Sequence, residues 1–168
     1  YIFIARDGAS LSLPNLDMPS AMGPLHALGN GQFLTIGGTR DGSRGQDLAS
    51  DITLFDMRTL GLGTSTQTLT DSIHATSSSG WTSHTSTLLE NGNLVIVGGA
   101  QGLTNSAGSL TGQSTATALV SVLDPDAATV TAATPMNHGR FAHQATLGPS
   151  GRVVVTGGFA ARSTEMAV

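Results

Sequence analysis

The chain contains no cysteine and no lysine, and it has few charged or aromatic residues. The absence of cysteine excludes a disulfide framework and every thiolate site within these 168 residues. Charged side chains make up 11% of the sequence, and the formal net charge is -4. Nucleic acids and anionic membrane surfaces are bound by clustered cations, so we expect no nucleic-acid partner. No apolar run approaches the roughly 20 residues of a membrane helix, so we expect no membrane insertion.

Glycine is abundant, and its spacing is periodic. The three runs "NGQFLTIGG", "NGNLVIVGG" and "SGRVVVTGG" each place a short apolar stretch between a single glycine and a double glycine. Three matches of one spacing indicate a repeat protein. We expect each double glycine to end a strand where the backbone needs a positive φ or a close approach to a neighbour. These structural glycines are Gly31, Gly37, Gly38, Gly92, Gly98, Gly99, Gly151, Gly157 and Gly158.

Each repeat contains four predicted strands, which we call A to D in chain order. Strand A precedes the glycine-bounded strand B, and strands C and D follow it, as in "SDITLFDMRT" and "GTSTQTLT". Between A and B, "ENGN" predicts a tight Asn-Gly hairpin and "GPSGR" a longer equivalent. No run of about ten residues has apolar positions at helical spacing, so the sequence predicts an all-β protein.

The predicted strands form one segment over 1–168 with four parts. Residues 1–20 contain strands C and D of one repeat, 21–70 and 80–135 are complete repeats, and 139–168 contain strands A, B and the start of C. The opening "YIFIARDGAS" lacks an initiator methionine and the features of a signal peptide. We therefore expect a processed or excised piece.

The repeat resembles the kelch repeat, the blade of kelch and galactose-oxidase-like β-propellers. The resemblance rests on the G-x5-G-G run, on H-x-x-x-L before it and on an aspartate after it. The residues that carry it, besides the glycines, are His84, Leu88 and Asp124, then His143 and Leu147, and in the first copy Leu28 and Asp56, with Gly23 in place of the histidine. The resemblance implies a kelch-type propeller segment of four-stranded antiparallel blades. Four to eight blades close a propeller, so a longer parent chain or a second copy must supply the rest.

The same resemblance raises the question of a copper enzyme. Galactose and glyoxal oxidases use a tyrosine cross-linked to a cysteine, a second tyrosine and two histidines. Here the only tyrosine is Tyr1, and Thr82 and Ser83 stand where the resemblance places the cysteine. We therefore expect no catalytic residue and no cofactor in this chain. The alternative is the propeller portion of such an enzyme, with its catalytic residues outside this sequence.

His84 and His143 occupy equivalent repeat positions, which favours a structural role in which each imidazole bonds to a neighbouring backbone group. His138 and His143 lack a third metal ligand nearby. Asp41 and Asp47, with Asp51, do not have the spacing of a calcium loop. We expect no metal site.

The B–C and D–A loops emerge at the same end of each blade, because strands reverse direction at every turn. Loops on a rigid scaffold commonly bind partners, and Arg and Trp are typical hot-spot residues. The sequence thus predicts a non-catalytic scaffold for a protein or glycan partner, although solvated loops explain the same residues. Abundant Ser and Thr without lysine favours an extracellular or cell-surface location over the cytoplasm. The candidate binding residues are Arg40, Asp41, Arg44, Trp81, Gln101, Asn105, Phe159 and Arg162.

Overall fold

The structure is a computed structural model that describes residues 2–4, 10–12, 24–29, 31–37, 51–56, 66–70, 81–101 and 115–160. All paired strands among these residues are antiparallel, and none of the described residues is helical. The prediction of an all-β fold built from four-stranded antiparallel units is therefore confirmed. Within these ranges there is no helix that could span a membrane.

The first part of the fold is a hairpin followed by a four-stranded sheet. The hairpin pairs β1 (Ile2–Ile4) with β2 (Ser10–Ser12). The first sheet contains, in spatial order, β3 (Leu25–Leu28), β4 (Gln32–Ile36), β5 (Asp51–Asp56) and β6 (Thr66–Thr70). Each strand pairs with the next one in the chain, which is the meander predicted for strands A to D.

The second part repeats this arrangement with one addition. Three short strands form a sheet of their own: β7 (Trp81–Thr82), β10 (Ala100–Gln101) and β11 (Thr115–Ala116). The second four-stranded sheet contains β8 (Thr85–Leu88), β9 (Leu94–Val97), β12 (Val120–Asp124) and β13 (Thr129–Ala132). The A–B hairpin of the third repeat follows, with β14 (Gln144–Leu147) and β15 (Val153–Thr156), and we call it the third hairpin.

The turns between strands A and B are the same in all three repeats. In the second repeat Leu89 N–H donates to the Asn93 carbonyl over 2.8 Å, and in the third Gly148 N–H donates to the Arg152 carbonyl over 2.8 Å. Each turn therefore holds three residues between its closing pair, and the prediction that "GPSGR" is longer than "ENGN" is wrong. The third turn residue is a glycine at positive φ, +84° at Gly31, +88° at Gly92 and +73° at Gly151, as a type I turn with a glycine bulge requires.

The hydrophobic core lies between the two four-stranded sheets. Cross-strand register places Leu34 opposite Leu54 and Ile36 opposite Ile52, so these four side chains share one face of the first sheet. They pack against the facing side of the second sheet, where the buried residues are Leu94, Ile96 and Leu123. Alternation along β9 thus gives the second sheet one apolar face toward the first sheet and another, with Val95 and Val97, toward β15.

Strand A is interrupted where the sequence predicts a continuous strand over 80–91. Ser83 has a φ of +56° and separates β7 from β8, and the equivalent Ala142 has a φ of +51°. Left-handed backbone costs an ordinary residue roughly 1–2 kcal/mol, which is why sequence patterns do not anticipate it without glycine. The interruption lies one residue before His84 and His143, and each histidine directly precedes the next strand, β8 or β14.

Candidate binding site at the loop end

Strands A and B continue to pair beyond the double glycines, and this brings the D–A segment beside the B–C segment. In the second repeat Trp81 lies opposite Gln101, and Thr82 lies opposite Ala100. In the third repeat an isolated bridge joins Phe141 to Phe159, which lie at the positions of Thr82 and Ala100. We call the end of the sheets marked by these pairs the loop end. It is opposite the three-residue A–B turns.

Phe141 and Phe159 form an aromatic pair at the loop end. The two residues exchange both backbone hydrogen bonds, with N···O distances of 3.1 Å and 2.9 Å. Their ring centroids are 5.7 Å apart with planes inclined by 33°, a separation typical of favourable aromatic contacts. Phe159 is nevertheless 54% exposed. The backbone therefore holds a large apolar ring in solvent at a fixed position.

Arg140 connects this aromatic pair to the second sheet. Its Nη1 donates to the Gly157 carbonyl over 2.8 Å, its backbone N–H donates to the Thr117 carbonyl, and its own carbonyl accepts from Gly99 N–H over 2.9 Å. Its buried Nε has no hydrogen-bond partner among the described residues. Arg140 thus joins the two strands of its own hairpin to the second sheet.

His143 fits between two double glycines. A Cβ placed on Gly98 would lie 2.9 Å from His143 Cε1 and 2.5 Å from the Arg140 carbonyl oxygen. A Cβ on Gly158 would lie 2.7 Å from His143 Cβ. Both glycines also have positive φ, +61° and +81°. The absence of a side chain at Gly98 therefore lets the third repeat approach the second, and its absence at Gly158 lets strands A and B of the third repeat approach each other.

Histidines also connect the A strands of consecutive repeats. His143 Nε2 and Thr85 Oγ1 share a hydrogen bond of 2.8 Å, which joins the third hairpin to β8. His26 Nε2 bonds Ser86 Oγ, which joins β3 to the same strand. His84 and His143 are both buried. The imidazole of His143 thus bonds a side-chain hydroxyl, and backbone groups of Val97 and Arg140 also interact with it.

Burial lowers the pKa of both inter-sheet histidines that carry these bonds. For His143 the largest cause is desolvation, the nearby Arg140 guanidinium lowers the pKa further, and the backbone groups of Val97 and Arg140 act in the opposite direction. For His26 desolvation alone lowers the pKa. Both imidazoles therefore stay neutral in the folded protein at a pH where the unfolded chain already binds protons.

We expect the free energy of unfolding to fall as the pH falls from 7 through the ordinary histidine pKa of 6.5. Below 6.5 the unfolded chain takes up protons that the folded protein excludes, and the loss levels off below the folded pKa. Urea unfolding at a series of pH values measures this slope. His143→Gln should reduce the slope, and Thr129→Ala, which changes an exposed residue without a titratable group, should not. Equal slopes for wild type and His143→Gln would contradict the assignment.

The structure places only some of the predicted binding residues. Trp81 and Gln101 are register partners at the loop end, and Phe159 in the next repeat lies at the position of Ala100, one residue before that of Gln101. Sequence reasoning missed Phe141 and Arg140, although their positions before a repeated histidine were a usable signal. Outside the described residues are Arg40, Asp41, Arg44, Asn105, Arg162 and the structural glycine Gly38.

The residues of this chain do not fit the copper site that the family resemblance suggests. The whole sequence has no cysteine and one tyrosine. In the described part of the chain no three His, Cys, Asp or Glu side chains are grouped so that they could hold a metal ion. The chemistry that the loop end itself offers is an exposed aromatic surface beside a guanidinium group, which suits binding.

No protein-family model matches the chain, and no curated protein matches it. Among solved structures the chain is similar to a fungal alcohol oxidase of the AA5 family, solved in complex with copper. The TM-score is 0.54 and the sequence identity 19%, and the match covers 82% of this chain and 27% of the oxidase chain. The likeness shows a related fold, and this chain spans about a quarter of that protein.

Proposed function

We propose that this chain is a non-catalytic segment of a kelch-type β-propeller that binds a protein or glycan partner at its loop end. The observation that carries the proposal is the cross-strand pairing beyond the double glycines. It sets Trp81 beside Gln101 and Phe141 beside Phe159 at the same end of consecutive repeats. Binding residues on short, hydrogen-bonded extensions of a rigid sheet lose little conformational entropy when a partner is bound.

The side chains at this end have the chemistry of recognition surfaces. Phe159 is exposed although a large apolar ring gains free energy by burial, at about 25 cal/mol per Å² of surface removed from water. Aromatic residues with arginine dominate interface hot spots, and aromatic faces also stack on sugar rings. Arg140 supplies a cation within the same hairpin. The loop end therefore offers apolar stacking and charged hydrogen bonding together.

The single tryptophan of the chain gives a direct test, because Trp81 is itself at the loop end. We expect a soluble oligosaccharide selected on a glycan array to shift the tryptophan fluorescence of the wild type in a saturable way. Phe159→Ala should weaken that binding by about tenfold, equivalent to about 1.4 kcal/mol. Thr129→Ala, an exposed position on β13 far along the sheet, should leave it unchanged. A glycan bound equally well by both variants would place the site elsewhere.

The similarity to a copper-bound AA5 oxidase favours a second candidate. In this alternative the chain is the propeller portion of a galactose-oxidase-like copper enzyme, and the residues that would hold copper lie outside this sequence. Metal analysis of a longer parent protein separates the two candidates. Stoichiometric copper would support the enzyme, and a parent that binds no copper would support the scaffold.

A further inference from the structure

A small pocket lies between the first two repeats at the turn end, by which we mean the end of the sheets that carries the A–B and C–D turns. Its volume is about 190 Å³. Three turns contribute to it: the A–B turns of both repeats and the C–D turn of the second repeat, residues 124–129. The pocket is at the opposite end of the sheets from the candidate binding site, so it is a separate feature of the molecule.

The pocket has an apolar floor. Leu28 is buried in the core cluster, and Leu88 packs against that cluster from the second sheet. Pro125 adds a third apolar side chain to the lining. Gly29 and Gly92 also line the pocket, and a Cβ at either position would have no atom within 4 Å. The floor can therefore cover the aliphatic part of a ligand, and the two glycines leave room for it.

The charged side chain among the pocket residues is Asp126. Because Asp126 is exposed whereas Leu28 is buried, its carboxylate lies at the mouth of the pocket. The turn that carries it is held in place by Asp124, whose Oδ1 accepts from the backbone N–H of Asp126 over 3.0 Å and from that of Ala127 over 2.9 Å. The carboxylate therefore has a defined position relative to the apolar floor.

The A–B turn of the second repeat is fixed in the same way. Gly92 N–H donates to the Leu89 carbonyl over 3.1 Å, and Asn93 N–H donates to Asn91 Oδ1 over 3.1 Å. Hydrogen bonds within the turns thus form both of these sides of the pocket before any ligand is bound. A preformed pocket loses little conformational entropy on binding, which makes even a small site effective.

We propose that this pocket binds a primary alkylammonium group, presented by a lysine side chain of a partner protein. A lysine side chain packs its methylene stem along apolar surface and keeps its ammonium head in water. The pocket offers these two environments in the same order, from Leu28 and Leu88 at the floor to Asp126 at the mouth. The chain itself contains no lysine, so the group must come from another molecule.

The size and hydration of the pocket also fit this ligand. Four methylenes and a nitrogen, each at roughly the 30 Å³ of a water molecule in the liquid, need about 150 Å³, and the pocket holds about 190 Å³. The ammonium is strongly hydrated, whereas the guanidinium of arginine is weakly hydrated and suits more deeply buried pairs. An exposed carboxylate at the mouth leaves the ammonium its water, and this favours lysine over arginine.

An NMR titration of the ¹⁵N-labelled 168-residue chain tests the proposal. Nα-acetyl-lysine-N-methylamide presents the side chain as a protein does. It should shift the backbone amide signals of Gly92 and Asp126 and saturate in the millimolar range. The norleucine analogue, which has the same stem without the charge, should bind at least about tenfold more weakly. Equal binding of the two compounds, or no saturable shift at these residues, would overturn the proposal.

Two further ligands separate the sources of the cation. n-Butylammonium, a free amine, should produce the same shifts as the lysine derivative if the pocket recognises the group itself. Binding of n-butylammonium without the lysine derivative would rule out a protein side chain and leave a free amine as the ligand. Tighter binding of n-butylguanidinium than of n-butylammonium would overturn the choice of lysine over arginine.

Two variants with the same change of charge give the matched control. Asp126→Asn should weaken binding of the lysine derivative by about fivefold, the upper range for an exposed ion pair. Glu90→Gln removes the same charge from an exposed residue of the neighbouring A–B turn that does not line the pocket. It should change the affinity by less than about twofold. Equal weakening in both variants would indicate general attraction to an acidic surface and would overturn the assignment. The glycan test with Phe159→Ala concerns the loop end, so either proposal can fail without the other.

Discussion

Gly98→Ala adds only one methyl group, but it should lower the free energy of unfolding by at least about 3 kcal/mol. Two costs add at this position. The backbone has a φ of +61°, which strains any residue with a Cβ. The new methyl group would also lie 2.5 Å from the Arg140 carbonyl oxygen and 2.9 Å from His143 Cε1. The carbonyl belongs to the backbone, so the third hairpin must shift away from the second sheet.

Gly92→Ala is the matched control for this prediction. Its φ is +88°, but no atom lies within 4 Å of the position that a Cβ would take. We expect it to lose only the conformational cost, about 1 kcal/mol. Chemical unfolding of the two variants measures the difference. Equal losses would show that the approach of Arg140 and His143 to Gly98 contributes nothing to stability.

Leu94→Ala should cost about 2–5 kcal/mol, the range of large-to-small substitutions in well-packed cores. Leu94 is fully buried on β9, where it belongs to the cluster between the two four-stranded sheets. Its neighbours come from both sheets, so the cavity cannot close by a local shift of one strand. The loss should appear as a lower denaturant midpoint with an unchanged slope.

Leu88→Ala is the matched control for Leu94→Ala, because both replace a leucine with an alanine. Leu88 is the cross-strand partner of Leu94, but it is only partly buried and packs against the rim of the core. Its truncation removes less covered surface and leaves a cavity that solvent reaches, so the expected loss is smaller. A larger loss of stability for Leu88→Ala than for Leu94→Ala would show that the core is centred elsewhere.

The contacts between successive repeats are of two kinds, and they act differently. The apolar faces supply most of the gain from burial, but one apolar face fits another without much discrimination. The bonds from His26 to Ser86 and from His143 to Thr85 require particular positions on adjacent strands. A shift of one sheet past its neighbour would leave the half-buried His26 and the buried His143 without these partners, at a cost of about 1–3 kcal/mol for each unpaired group.

The amino-acid sequence by itself determined the local parts of this fold. The repeated glycine spacing predicted three A–B hairpins, since only glycine adopts positive φ without strain, as at Gly31, Gly92 and Gly151. The short apolar runs between the glycines predicted the B strands, and the order of the strands along the chain predicted their antiparallel pairing. All of these follow from interactions between residues close together in sequence.

Only the tertiary structure determined the contacts within and between the repeats that join residues far apart in sequence. Strand A is interrupted at Ser83 and Ala142, where no glycine in the sequence predicts a positive φ. The conformation persists because the surrounding contacts outweigh its strain. The pairing of Phe141 with Phe159 and the bond from His26 to Ser86 join residues 18 and 60 positions apart. A sequence pattern specifies which face a side chain occupies, but the partner on the opposite face depends on how two complete sheets fit together. The candidate site at the loop end is of this second kind, since its aromatic pair exists only after strands A and B have closed beyond their glycines.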